Sequence, residues 1–165
     1  GESGQIYIRS MMAPDFEYHE EPEKTSEAHL EPGVFTMGDI GYLDEDGFLY
    51  LTDRKSFMII SGGVNIYPQE IENVLIAHPS VADVAVIGAP HDDFGEQVVA
   101  VVQPDDWNDA TPELAAELTQ WVRDRLSHVK TPRKIDFMQA LPRHPTGKLH
   151  KREIREAYWK PAVLT

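Results

Sequence analysis

The 165-residue chain has no cysteine. That excludes disulfides, thiolate metal sites and a cysteine nucleophile, and it fits a reducing compartment. No apolar run approaches the ~20 residues needed to span a bilayer, and no charged-then-apolar leader is visible, so a cytoplasmic protein is expected. Basic residues are scarce: 15 Lys and Arg face 28 Asp and Glu, for a formal net charge of −13. Binding to a phosphate backbone rests on clustered cations, so no nucleic-acid partner is expected. None of the 7 histidines falls at a metal-ligand spacing, and no metal site is expected within the chain.

What is present is a foldable composition, 41% hydrophobic, with 12 prolines and 11 glycines that call for many turns. The few cations are unevenly placed. Residues 127–165 hold 9 of the 15 Lys and Arg but only 3 of the 28 acids. Such a tail either balances charge on a solvated surface or faces a polyphosphate, and composition does not choose between the two. The chain starts Gly1-Glu2-Ser3-Gly4-Gln5 without a methionine and passes at once into a strand-like stretch, which reads as a cut in a longer protein.

Periodicity divides the chain near residue 55. Up to that point short strands alternate with turns, at 5–9, 39–43 and 48–52, with Asp44-Glu45-Asp46-Gly47 as a hairpin turn. Residues 12–33 form an irregular segment with one short helix around 23–29. Beyond residue 55, strands alternate with helices. Residues 57–60 read as a buried strand, Pro68 as the first residue of a helix, and 84–87, 98–102 and 133–138 as further strands. A second helix opens at Thr111-Pro112 and runs to about Ser127, with Trp121 and Arg125 on its apolar stripe, and a terminal helix covers 151–159. The expected fold is α+β: a β-rich segment at 1–55, then a compact domain at 56–165 whose three-stranded sheet is flanked by helices.

Three stretches pair glycine with one charged or polar residue, the arrangement by which a backbone approaches a phosphate or sugar. They are Thr36-Met37-Gly38-Asp39, the run from Asp53-Arg54-Lys55-Ser56 through Ile60-Ser61-Gly62-Gly63-Val64-Asn65 to Glu72, and Pro142-Arg143-His144-Pro145-Thr146-Gly147-Lys148. In this order and spacing they resemble the late motifs of the adenylate-forming superfamily, which includes acyl-CoA synthetases, luciferases and peptide-synthetase adenylation domains. The resemblance covers essentially the whole chain and is strongest to acyl- and aryl-CoA ligases.

It implies that residues 1–55 end a large AMP-binding domain and that 56–165 form a mobile lid. It further implies that the phosphate loop and acyl pocket lie in a missing amino-terminal domain. The implied reaction adenylates a carboxylic acid, first of all a fatty acid, with ATP and its Mg2+, then passes the acyl group to coenzyme A. By the same resemblance Asp39 holds the ribose hydroxyls, Arg54 and Asn65 approach the nucleotide, and Lys148 is the catalytic lysine. Ser56 takes the hinge position, where relatives usually carry Asp or Lys. Gly62 and Gly63 line the pantetheine passage, and Phe94, Lys130 and Arg133 meet the phosphates or adenine of CoA. A lid module that binds a nucleotide or partner without catalysis is the alternative from another class.

Overall fold

The computed structural model describes residues 2–11 and 16–160. The chain forms two compact units, one ending at Ser56 and the other beginning at Phe57. The expected irregular segment at 12–33 includes residues 12–15, which lie outside the described residues.

The first unit is built from two small antiparallel sheets. One orders its strands β1 (Gly4–Gln5), β5 (Asp39–Leu43) and β6 (Leu49–Arg54); the other runs β2 (Ile8–Arg9), β4 (Val34–Phe35), β3 (His29–Glu31). Residues 5–9 therefore do not make one strand but contribute to both sheets. The expected short helix is α1 (Pro22–Ala28), opened by proline at its first turn. The turn between β5 and β6 closes on Asp44, whose Oδ1 accepts the N–H groups of Asp46 and Phe48, and Gly47 supplies the positive φ of 84°. Gly41 is fixed by strand contact: a Cβ there would lie 2.3 Å from the carbonyl oxygen of Tyr50. Leu43, Phe48, Leu49, Tyr50 and Leu51 on this hairpin are all exposed.

In the second unit, β10 (Gly95–Pro104) is the central strand. It pairs along its length with β9 (Val81–His91), and its other edge takes parallel β11 (Lys134–Phe137) and, at Gly95, the hairpin of β7 (Ile59–Ser61) and β8 (Val64–Ile66). The sheet thus has five strands rather than the expected three. The difference arises at residues 57–66: the chain turns back on itself at Gly62-Gly63, so the strand expected at 57–60 becomes a hairpin, and both of its strands join β9, β10 and β11 in one sheet. Phe57 lies in a single 3-10 turn, and within β7 Ile59 is buried while Ile60 is exposed. That edge hairpin has period-2 burial, where a run buried on both faces was expected.

The unbroken apolar runs in β9 and β10 are explained by burial on both faces. Val84, Val86, Val98, Ala100 and Val102 pack against α2 (Pro68–Leu75) and α3 (Pro112–Arg123) through Ile71, Leu75, Leu114, Leu118 and Val122. The alternate residues Ala85, Ile87, Val99 and Val101 meet Leu141 and Ile154, the latter on α4 (Lys151–Trp159). The result is three layers, helix–sheet–helix, as expected for an α+β domain. Thr111 caps α3 by accepting the Leu114 N–H at 3.3 Å. That helix stops at Arg123, so Arg125 leaves the stripe and its guanidinium lies 3.3 Å over the Trp121 ring. Trp121 itself is only half-buried, donating to the Val74 carbonyl at 2.9 Å and meeting His78 edge-on.

Candidate functional site

Asp39 opens β5 and stands directly opposite Arg54, the last residue of β6. Their side chains meet, Arg54 Nε to Asp39 Oδ1 at 3.2 Å, on a partly solvated surface where such a pair contributes ~0–1 kcal/mol. The backbone before Asp39 is set by Gly38, at φ 80°. The Gly38 N–H donates to the buried Thr36 hydroxyl at 3.0 Å, and its carbonyl accepts the Lys55 N–H at 2.8 Å. Met37, Gly38, Arg54, Lys55 and Ser56 line part of a cavity of about 360 Å³ in this unit. Ser56 is exposed, in the 3-10 turn that begins at Lys55. The structure therefore brings together two of the three residues expected at the nucleotide. Asn65, the third, belongs to the second unit, exposed on edge strand β8 opposite Ile60.

Lys148 follows a tight turn in the second unit. Within it the Gly147 N–H donates to the His144 carbonyl at 2.8 Å and the His144 N–H to the Lys148 carbonyl at 2.9 Å. Gly147 sits at φ 84°, a conformation that costs an L side chain ~1–2 kcal/mol. Arg143 braces the turn by donating to the Gly147 carbonyl at 2.6 Å and pairing with Asp83 of β9. Lys148 is exposed and makes no ion pair among the described residues. An ammonium held out by a stiff turn is well suited to meet an anion.

The residues expected at CoA are divided by the structure. Gly62, Phe94 and Arg133 line one cavity of about 520 Å³. The Arg133 guanidinium lies 4.3 Å over the Phe94 ring, and the Gly62 N–H donates to the Phe94 carbonyl at 3.0 Å. A Cβ on Gly62 would stand 3.2 Å from Phe94 Cδ1 on a backbone at φ 56°. Gly63 has a positive φ but nothing within 4 Å of its missing Cβ, which makes it a turn glycine. Lys130 is drawn elsewhere, its ammonium 2.6 Å from Glu70 of α2.

Three further residues of this cavity escaped the sequence reading: Arg123, His128 and Thr131. Thr131 is 6% exposed, and its hydroxyl has no hydrogen-bond partner among the described residues. A buried hydroxyl in that state costs about 1–3 kcal/mol, so a ligand that engages it gains by doing so. The uneven placement of Lys and Arg marked none of the three: Arg123 lies before the basic tail, and His128 and Thr131 are neither Lys nor Arg.

Residues 70–148 match the family of AMP-binding enzyme C-terminal domains. The chain is 43% identical over 155 residues to the long-chain fatty acid CoA ligase FadD13 of Mycobacterium tuberculosis, covering 94% of this chain and 30% of that protein. It is 42% identical over 154 residues to a 2-succinylbenzoate CoA ligase of Geobacillus kaustophilus, with 93% and 30% covered. Among solved structures, the amide bond synthetase McbA from Marinactinospora thermotolerans superposes with a TM-score of 0.80 at 39% identity, over 96% of this chain and 31% of that one. The o-succinylbenzoate CoA synthetase MenE from Bacillus subtilis, solved with an acyl-adenylate, gives 0.77 at 36%, over 93% and 30%. The chain thus spans about 30% of the length of the curated relatives it matches. No helix among the described residues is long and apolar enough to cross a membrane.

Proposed function

We propose that the chain is the carboxy-terminal part of an ATP-dependent acyl-CoA synthetase, with Lys148 as its catalytic lysine. The observation that carries this reading is the exposed Lys148 ammonium, braced on a rigid turn within the residues that match the family. An ammonium there offsets negative charge as a carboxylate oxygen attacks the α-phosphorus of ATP. Asp39 would accept from the ribose hydroxyls, with Arg54 beside it on the nucleotide and Asn65 approaching from the second unit. Mg2+ would accompany ATP.

Transfer to coenzyme A uses the second cavity in this reading. Phe94 and Arg133 offer a stacking face and a charge for adenine and phosphate, His128, Arg123 and the Thr131 hydroxyl add donors, and Gly62 and Gly63 leave the thiol's passage clear. Lys130 would have to leave Glu70 to join them. Ser56, last residue of the first unit, would be the hinge about which 57–165 swing as a lid. The exposed apolar hairpin at Leu43 and 48–51 supports the view that an amino-terminal domain packs there. The substrate we propose is a medium or long aliphatic acid, with ATP and CoA as co-substrates, in a cytoplasmic enzyme.

The test is AMP release by the full-length protein given ATP, CoA and a panel of fatty, aryl and 2-succinylbenzoate-like acids. Lys148→Ala is expected to lower adenylate formation by ~10²–10³-fold while sparing acyl transfer from preformed adenylate. Equal loss in both steps would remove Lys148 from the role.

A further inference from the structure

The Glu72–Lys151 ion pair has no part in the reading so far, yet it is the most buried pair of opposite charges among the described ion pairs, with side chains 8% and 9% exposed. Glu72 lies on α2 and Lys151 is the first residue of α4, and Nζ stands 2.7 Å from Oε1. The same Oε1 accepts the Val86 N–H of β9 at 2.6 Å, and Lys151 Nζ lies 5.3 Å from the centre of the Phe57 ring. One turn further along α4, Arg155 pairs with Glu96 at 2.8 Å, and the other oxygen of Glu96 accepts the Ile60 N–H. A turn beyond that, the Trp159 indole donates to the Gly88 carbonyl at 2.9 Å. Residues 151, 155 and 159 therefore form a polar stripe that fastens α4 to the sheet at fixed points.

Net stability does not account for such a stripe. A buried ion pair roughly breaks even against apolar residues of the same volume, because both charges lose their water. What directed contacts supply is register: an apolar helix face tolerates sliding, whereas a carboxylate shared between a backbone N–H and an ammonium does not. The element that depends on this register is the turn just before α4. Lys148 is three residues from Lys151, within ~10 Å along the chain. The other stem of the turn is held to β9 by the Arg143–Asp83 pair.

We infer that the Glu72–Lys151 pair is a positioning device for Lys148, fixing the carboxy-terminal stem of its turn relative to α2 and β9. The inference rests on the proposed role of Lys148 only for its catalytic consequence; the geometric part stands alone. Lys151 and Glu72 are positioning residues, without contact to reactants.

Two measurements decide it. In the 165-residue chain, amide hydrogen exchange is followed at His144 and His150, whose N–H groups close the turn and its stem. Glu72→Gln with Lys151→Met keeps an acceptor for Val86 and leaves no unpaired charge, so the fold is retained. This double variant should exchange about tenfold faster at those amides, with the β10 amides unchanged and Lys151→Arg close to the parent. In the full-length protein, the same double variant should lose on the order of 10²-fold in kcat for adenylate formation, with the ATP KM and acyl transfer from preformed adenylate little changed. Unchanged exchange at His144 and His150, or equal loss in both half-reactions, overturns the inference. If the unmutated full-length protein forms no adenylate at all, the functional reading fails, and the exchange result alone still decides the positioning.

Discussion

Replacing Thr131 by valine separates stability from binding. Thr131 is among the residues lining the Phe94–Arg133 cavity, and its buried hydroxyl has no partner among the described residues. An isosteric methyl removes that desolvated donor without opening a void, and the extended backbone at φ −69°, ψ 126° accepts a β-branched residue. The variant should therefore be more stable by about 1–3 kcal/mol, the cost of an unmet buried hydroxyl. For a unit of this size that raises the melting midpoint by roughly 4 °C per kcal/mol. If the hydroxyl serves CoA as proposed, the same change should raise the KM for CoA of the full-length protein by about 5–10-fold, the worth of one hydrogen bond. Thermal unfolding of the 165-residue chain by circular dichroism, alongside KM for CoA, reads both. A fall in the midpoint would mean that the hydroxyl is satisfied in solution and would refute the reasoning; a rise with unchanged KM would keep the energetics and remove Thr131 from the CoA site.

Other perturbations probe the frame. Gly41→Ala places a Cβ 2.3 Å from the Tyr50 carbonyl oxygen, so β5 and β6 must separate. A loss of about 1–3 kcal/mol in the first unit is expected, read as lowered urea resistance of the hairpin amides. The Tyr158 phenol is pushed above its ordinary value of 10.0, first by burial and then by its hydrogen bond to Asp136 at 2.5 Å. Its folded form holds the proton more tightly than the unfolded one. That stability is full below pH 10 and declines as the pH rises beyond it, so an alkaline titration of unfolding should show the decline and Tyr158→Phe should flatten it. Lys148→Ala, measured on each half-reaction, completes the set.

How much of this was legible in the sequence depended on how local the cause was. The terminal helix at 151–159, the strand at 39–43 and the proline-led starts at Pro68 and Pro112 were readable because a few adjacent residues dictate them. The pairing of Asp39 with Arg54 was half readable. The motifs named both residues, but only strand register shows that they face each other. The hairpin at 59–66 was missed because Ser61-Gly62-Gly63 reads equally as a break or as a reversal. The ion pair of Lys130 with Glu70, 60 residues earlier in the chain, was not readable from charge alone. Thr131 and the Glu72–Lys151 pair were invisible for the same reason: their significance lies in burial and in partners far along the chain.

Two of the charges assigned to chemistry share one local design. Asp39 follows Gly38 and Lys148 follows Gly147, and both glycines take φ near 80° with no atom within 4 Å of the missing Cβ. Space therefore does not require glycine at either position; backbone conformation does. The Gly38 N–H donates to the Thr36 hydroxyl and the Gly147 N–H to the His144 carbonyl, and in each case the next residue carries a charge. A substitution of either glycine by alanine should cost ~1–2 kcal/mol through backbone strain alone and shift the charge that follows. Asparagine, which tolerates that conformation better, should be the milder change at both positions. If asparagine and alanine proved equally harmful at Gly147, the cause would be contact with a ligand or with another part of the full-length protein, and the backbone account of that turn would fall.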